Sequence, residues 1–334
     1  MKRRKFLNSL CLGTTAITSL NFTNVYNSFL KDFPYKLSLA QFSLFRLEMM
    51  RKSDPMDFAK ISSELGFQGL EYLQISYTGG LLREKKKTTL SGIKKLAKDL
   101  NTRADDYNQK NILIMIDMGP DLGTYVENYD DYHTWIDCAS EMKCHSVRVN
   151  LRGSDDSLSD WSKNSINNLS KLCEYAEPLG INIIVENHGG FSSNADYLVN
   201  VIEKVNFKNI GTLPDFGNFC LKQDEKKLAE TYKLFTEGAE KTSGRPPTLY
   251  DTCIERFDMY EGIEKLMKYA KGVSAKTHGF DLEGNDVDID YKKMLQIVKK
   301  SGYSGFIGVE AQAFTMDPIE AIKSSKKLLL NSYS

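Results

Sequence analysis

Four short stretches of this sequence carry side chains able to hold a cation and move protons: Val185-Glu186-Asn187-His188, Leu213-Pro214-Asp215-Phe216, Lys276-Thr277-His278 and Gly308-Val309-Glu310. Glu186, Asp215, His278 and Glu310 supply three carboxylates and one imidazole. Hard oxygen donors with open positions suit one divalent ion of the Mn, Mg or Co kind, with Zn also able to bind, better than a closed structural zinc site. Such an ion would polarise a carbonyl and stabilise an enediolate while a carboxylate removes the neighbouring C–H proton.

The elements that would position these groups can be read from the pattern around them. From Leu37 onward, apolar or β-branched runs alternate with amphipathic helical stretches, as parallel strands joined by helical crossovers do. Eight strands are expected, at 37–43, 67–73, 111–117, 146–150, 181–186, 210–215, 273–278 and 306–310. Asp54-Pro55 opens one intervening helix. Leu65-Gly66, Leu179-Gly180 and Ser301-Gly302 close others, with Gly at the left-handed position.

The interval from Asp215 to His278 is roughly twice the others, so an insertion is expected at about 219–255, with a charged helical piece at 224–240. Eight βα units in 334 residues fit a (β/α)8 TIM barrel of ~250 residues plus decorations. A doubly wound sheet is the rival, but no G-x-G-x-x-G follows any expected strand. No Pro/Gly/Ser linker divides the chain, which reads as one domain.

In a barrel, reactive groups belong at the C-terminal strand ends, and the last four expected strands each end in a metal-ligand type. Alternation puts Glu186 with Ile184, His278 with Lys276, and Glu310 with Gly308 on common faces. His188 shares the parity of Glu186 and could bond a sugar hydroxyl. Lys276 could stabilise negative charge inside the barrel or form a buried ion pair. Arg148 and Asn150 face inward from strand four and, with Asn218, are candidate substrate contacts. Glu71 and Asp117 near the ends of strands two and three suit ion pairing as well as function, and His133 and His145 suit structural roles.

These landmarks, with Gly189-Gly190 and Asp215-Phe216-Gly217-Asn218, resemble the xylose isomerase-like TIM-barrel superfamily, also called sugar phosphate isomerase/epimerases, and within it a branch with twin-arginine signals. The resemblance covers about 37–330 and implies that Glu186, Asp215, His278 and Glu310 bind the metal, with Glu186 and Glu310 doubling as acid and base. It implies a metal-dependent isomerase or epimerase acting on a ketose or keto-sugar. Ala311-Gln312-Ala313 departs from the aromatic-Glu-Gly common after the last glutamate.

Three other readings compete. A 3-keto-glycoside lyase or hydrolase would use the same groups. An endonuclease IV-like enzyme needs a zinc cluster that four histidines in total cannot supply. A sugar-binding protein or partner subunit would not need both glutamates.

Lys plus Arg equals Asp plus Glu at 44 each, so no net field favours nucleic acid or an anionic membrane. The expected partner is a small sugar, with a homo-oligomer compatible with the sequence. Lys2-Arg3-Arg4-Lys5-Phe6-Leu7 precedes an acid-free, weakly apolar stretch from Leu10 to Leu20, too short to span a bilayer. Residues 1–32 therefore read as a twin-arginine export signal to the periplasm, with a basic cytoplasmic tail as the alternative. Cys138, Cys144, Cys173, Cys220 and Cys253 lack C-x-x-C spacing and are expected to be buried free thiols, although an oxidising compartment would permit a disulfide.

Overall fold

A computed structural model describes residues 33–78, 90–153, 157–237 and 245–333. The expected export signal at 1–32 lies outside them. Eight parallel strands form the centre: β1 (Lys36–Ala40), β2 (Gly69–Leu73), β3 (Lys110–Met115), β4 (Ser146–Val149), β5 (Asn182–Glu186), β6 (Ile210–Leu213), and beyond the insertion β9 (Val273–Thr277) and β10 (Phe306–Ala311). Their order is β6-β5-β4-β3-β2-β1-β10-β9. The ring closes between β6 and β9 through two isolated bridges, Thr212 with Ala270 and Asp215 with Ser274. This is the TIM barrel.

The strands are nearly continuous apolar runs because both faces are covered. Val147, Ile183, Val185, Val273, Ile307 and Val309 are fully buried among the residues that pack the helices against the sheet. A smaller apolar group with Leu113, Met115, Ile184 and Leu213 is a separate buried cluster.

Helix α1 (Phe45–Met49) follows β1; α2 (Phe58–Glu64), α3 (Leu90–Asp106), α4 (Asp130–Glu141), α5 (Leu158–Ala176) and α6 (Ala195–Val205) follow in turn. Side-chain caps set several starts: Ser157 accepts from the Asp160 N–H, and Asn194 from Asp196 and Tyr197. Gly66, Gly180 and Gly302, the three expected helix ends, have φ of 72°, 70° and 76°, where an L side chain is strained.

The first, third and sixth strands stop two or three residues short of expectation, and the first and sixth do so for local reasons. The first strand stops at Ala40, and Gln41–Leu44 coils into a 3-10 turn whose Gln41 carboxamide accepts the Leu73 N–H at 3.0 Å. The sixth stops at Leu213, because Pro214 offers no N–H to extend the ladder; Asp215 regains pairing with Ser274.

The insertion holds β7 (Cys220–Gln223), α7 (Glu225–Glu237) and β8 (Cys253–Arg256), with β7 and β8 antiparallel. Cys220 and Cys253 form a disulfide, Cα atoms 5.7 Å apart. The expectation of free thiols thus holds for buried Cys138, Cys144 and Cys173 and fails for this pair. A bond across 33 residues leaves no spacing signature, and strand pairing alone brings the two together. Helices α8 (Met259–Leu266), α9 (Tyr291–Lys300) and α10 (Pro318–Asn331) complete the ring. Among the described residues no helix is long and apolar enough to cross a membrane.

Candidate active site

The C-terminal strand ends open into a cavity of about 730 Å³ lined by Arg148, Glu186, His188, Lys276, His278 and Glu310, among others. Four adjacent strand ends converge there: β5 brings Glu186, the turn after β6 Asp215, β9 Lys276 and β10 Glu310. Glu186 and Asp215 are essentially sealed from solvent at 1% and 0% exposure. The ligand atoms of Glu186, Asp215 and Glu310 all lie within 4.8 Å of one another.

Lys276 reaches into this group. Its Nζ lies 2.7 Å from Glu310 Oε1 and 3.5 Å from Asp215 Oδ2, and it donates to Asn218 Oδ1 at 3.2 Å. Burial would discharge the ammonium, but Asp215, Glu310 and Glu186 more than offset this and hold its pKa above the usual lysine range.

Asp215 is held by three hydrogen bonds. Oδ1 accepts the backbone N–H groups of Gly217 (2.9 Å) and Asn218 (3.0 Å), and Oδ2 accepts Ser274 Oγ–H at 2.7 Å. Burial nonetheless raises its pKa. Glu186 Oε1 accepts Asn218 Nδ2–H at 2.9 Å. Its Oε2 stands 2.9 Å from Arg148 Nε, yet both atoms lack an aligned hydrogen bond. The contact is an ion pair that leaves this oxygen's lone pairs unused. Burial, reinforced by Glu310 and Asp117, pushes the Glu186 carboxyl well up, against the pull of Arg148 and Lys276.

Arg148 also reaches Asp117 Oδ1 at 2.6 Å, and Asn150 Nδ2 donates to that oxygen at 2.9 Å. Burial would raise Asp117, but the guanidinium outweighs it and holds the carboxyl at about 2. Asn150 Oδ1 is buried without a partner. Burial, with Arg148 and Lys276 nearby, lowers His188 to about 4, so its imidazole is neutral at ordinary pH. Beneath the cluster, Glu71 accepts Ser38 Oγ–H at 2.6 Å, and burial lifts it to about 7. A Cβ on Gly308 would stand 2.3 Å from Glu71 Oε1; only glycine fits over that carboxylate.

The structure thus brings together Glu186, Asp215, Glu310, Lys276, Asn218, Arg148 and Asn150, with His188 and His278 on the cavity wall, His278 Nε2 beside Gly217 and its Nδ1 turned to a second acidic group. Nδ1 of His278 faces Asp288 Oδ2 at 3.0 Å, its backbone N–H donates to Asp286 Oδ2 at 2.7 Å, and its ring stacks on Tyr250. Arg245 and Thr248 Oγ1 also bind Asp288. The sequence reading did not single out Asp286, Asp288, Tyr250 or Arg245. They lie in loops with no periodic pattern, so only the fold brings them to His278. His133 stacks on Tyr175, and His145 contacts Ser146.

Two groups therefore have the atoms to hold a metal ion: Glu186, Asp215 and Glu310, and His278, Asp286 and Asp288. The first has the donors a hard divalent ion prefers. The residues fit one: Glu186 Oε2 has no aligned hydrogen bond, and the Ser274 hydroxyl and backbone N–H groups hold Asp215 as outer partners hold a ligating carboxylate, with Lys276 paired to the same oxygens.

An eight-stranded parallel barrel with an acidic cluster at its C-terminal face defines the TIM-barrel class, with the site at its usual end. More narrowly, residues 59–331 match the model of the xylose isomerase-like TIM barrel family, and the chain belongs to it. By sequence, no curated protein matches. Among solved structures, a D-tagatose 3-epimerase-like protein is similar at TM-score 0.56 and 18% identity, over 90% of this chain and 100% of that one. The 3-keto-D-glucoside 4-epimerase of E. coli is similar at TM-score 0.56 and 11% identity, over 83% and 94%. The IOLI protein with a bound zinc atom is similar at TM-score 0.55 and 14% identity, over 89% and 97%. At such identities these likenesses establish the fold.

Proposed function

We propose that the chain is an isomerase or epimerase that moves a proton next to the carbonyl of a ketose or keto-sugar. The observation that carries this is Glu186 Oε2: a buried carboxylate oxygen with no aligned hydrogen bond, on a residue that lines the cavity, beside the Arg148 guanidinium. A base needs an available lone pair and a raised pKa, and burial supplies both. The cavity volume lies in the usual range for small-molecule sites, roughly 300–1,000 Å³. Epimerases among the proteins of the same fold agree with this reading.

In this mechanism Glu186 takes the C–H proton, and Glu310 returns one to the neighbouring carbon or the opposite face. Asn150 Oδ1 and neutral His188 hold hydroxyls. The negative charge developing on the carbonyl oxygen needs a cation where the carboxylates converge. Glu186, Asp215 and Glu310 are the groups that would hold a divalent ion for that purpose, and Lys276 already stands there.

The test is proton exchange in D2O, followed by NMR, with a panel of ketoses and 3-keto-glycosides. Deuterium should appear beside the carbonyl, and Glu186→Gln and Glu310→Gln should each lower the rate about 10²–10⁴-fold. Aglycone release without exchange into recovered substrate would point to a lyase instead. Exchange no faster than in both variants for every panel member would refute the proposal.

A further inference from the structure

The wall of the cavity opposite the acidic cluster is apolar. In the ring order, β1 stands across the barrel from β5, and β2 across from β6. The β5 and β6 side brings Glu186 and Asp215. Across from them, the described residues that line the cavity at the ends of β1 and β2 are Phe42, Phe45, Leu73 and Ile75. The Phe42 and Phe45 rings stack with centroids 6.1 Å apart, and with Ile75 they are only partly buried against the apolar cluster that contains Leu73. None of these four side chains can donate or accept a hydrogen bond.

The insertion carries apolar surface over the mouth. Tyr232 of α7 lines the same cavity and is 49% exposed. The 13 residues of α7 make a helix about 20 Å long. Near its far end the Phe235 ring packs on Phe314, in the loop after β10, at 4.9 Å. Arg46, next to Phe45, donates to the carbonyls of Phe314 and Met316. A helix that leaves the β6 side is thereby anchored beside β1 and roofs the space between the two walls.

That space exceeds one sugar. A cavity of about 730 Å³ has room for roughly two dozen water-sized groups at ~30 Å³ each, about twice the non-hydrogen atoms of a hexose. A sugar held with its carbonyl at Glu186 and Glu310 leaves the Phe42 and Phe45 side to whatever it carries. A second sugar would strand hydroxyls against side chains that offer them no partner. An apolar ring strands nothing there and gains by leaving water.

We propose that Phe42, Phe45 and Ile75, roofed by Tyr232, form a second subsite for an apolar, ring-sized aglycone, so that the substrate is a keto-sugar glycoside and not a free ketose. The inference rests on the carbonyl-sugar reading for the group at Glu186, but the subsite itself does not.

The experiment compares methyl and phenyl 3-keto-β-D-glucosides as exchange substrates of the full-length protein in D2O, with 3-keto-cellobiose as the second-sugar probe and fructose as the free ketose. The phenyl glycoside should exceed the methyl glycoside by about 10–100-fold in kcat/KM, chiefly through KM, as burial of one ring requires. The 3-keto-cellobiose should stay close to the methyl glycoside. Phe45→Ala should bring the phenyl-to-methyl ratio toward one. Tyr232→Ser, at a half-exposed helix position, should lower it in the same direction and is the substitute where Phe45→Ala fails to fold. Calorimetry with methyl and phenyl β-D-glucosides, which have no carbonyl and cannot exchange, reads the subsite alone. There the phenyl compound should bind at least about tenfold tighter, and the same variants should reduce the difference.

Where exchange is seen, a phenyl-to-methyl ratio near one overturns the inference and leaves the carbonyl-sugar reading intact, as does a ratio that both variants leave unchanged. A preference for 3-keto-cellobiose over both glycosides gives the subsite to a second sugar and refutes the apolar assignment. Where no probe exchanges, the carbonyl-sugar reading fails and the binding ratio decides: tighter binding of the phenyl glucoside, lost in the variants, sustains the subsite, and equal binding refutes it.

Discussion

Glu71→Gln should make the protein's stability less sensitive to pH. In the folded chain this carboxyl sits at about 7, against an ordinary 4.5, because it is buried beneath Glu310 and Glu186. A raised acid means that the folded state binds more protons than the unfolded state between those two values, so stability falls as pH rises through that window. The rise corresponds to a loss of roughly 3 kcal/mol of stability, complete above pH 7 and absent below 4.5.

Glutamine keeps an oxygen to accept the Ser38 hydroxyl and never ionises. Near pH 4.5 the variant should match wild type within about 1 kcal/mol; at pH 8 it should be the more stable by roughly 2–3 kcal/mol. Urea midpoints of both proteins at half-unit steps from pH 4.5 to 8 read this directly. A difference that stays flat within about 0.5 kcal/mol would show that Glu71 is not held neutral by burial, and would refute the account of the barrel floor.

Gly308→Ala should cost about 2–4 kcal/mol, since the new methyl group must displace the Glu71 carboxyl from Ser38. A thermal melt should fall by roughly 5–15 °C, and adding Glu71→Ala should relieve at least about 1 kcal/mol of the clash, giving a non-additive cycle. For the insertion, thiol titration of the denatured full-length chain should find two fewer thiols before reduction than after it, since Cys220 and Cys253 are bonded. Equal counts would refute the bond. Cys220→Ser with Cys253→Ser should lower stability by at most about 3–4 kcal/mol for a loop of this length.

Much of the barrel was legible in the sequence because parallel strands covered on both faces are short apolar runs, as in Asn-Ile-Ile-Val-Glu before the cavity. Strand ends were less so: Gln41 and Pro214 end their ladders by what their own groups donate, accept or lack, not by hydropathy. Three of the four groups proposed for the metal, Glu186, Asp215 and Glu310, do meet. The fourth position shows where alternation stops informing. Ser274, Lys276 and His278 share one face by parity, and parity does not say which side chain reaches the centre. The long lysine stem reaches the cluster from one position deeper, while Asp288, from a loop without any repeating signal, engages the imidazole.

The closure of the ring ties the site to the barrel's opening dynamics. Seven of its seams are full ladders, whereas the one between β6 and β9 rests on two isolated bridges and on backbone bonds such as Ser274 N–H to the Pro214 carbonyl. The thinnest seam has the least hydrogen bonding to break and is where local opening costs least. Asp215 and Ser274 span that seam with a side-chain bond as well. The residues that organise the chemistry are therefore also the clasp of the cylinder, and an occupant that binds Asp215 and Lys276 together would fasten it.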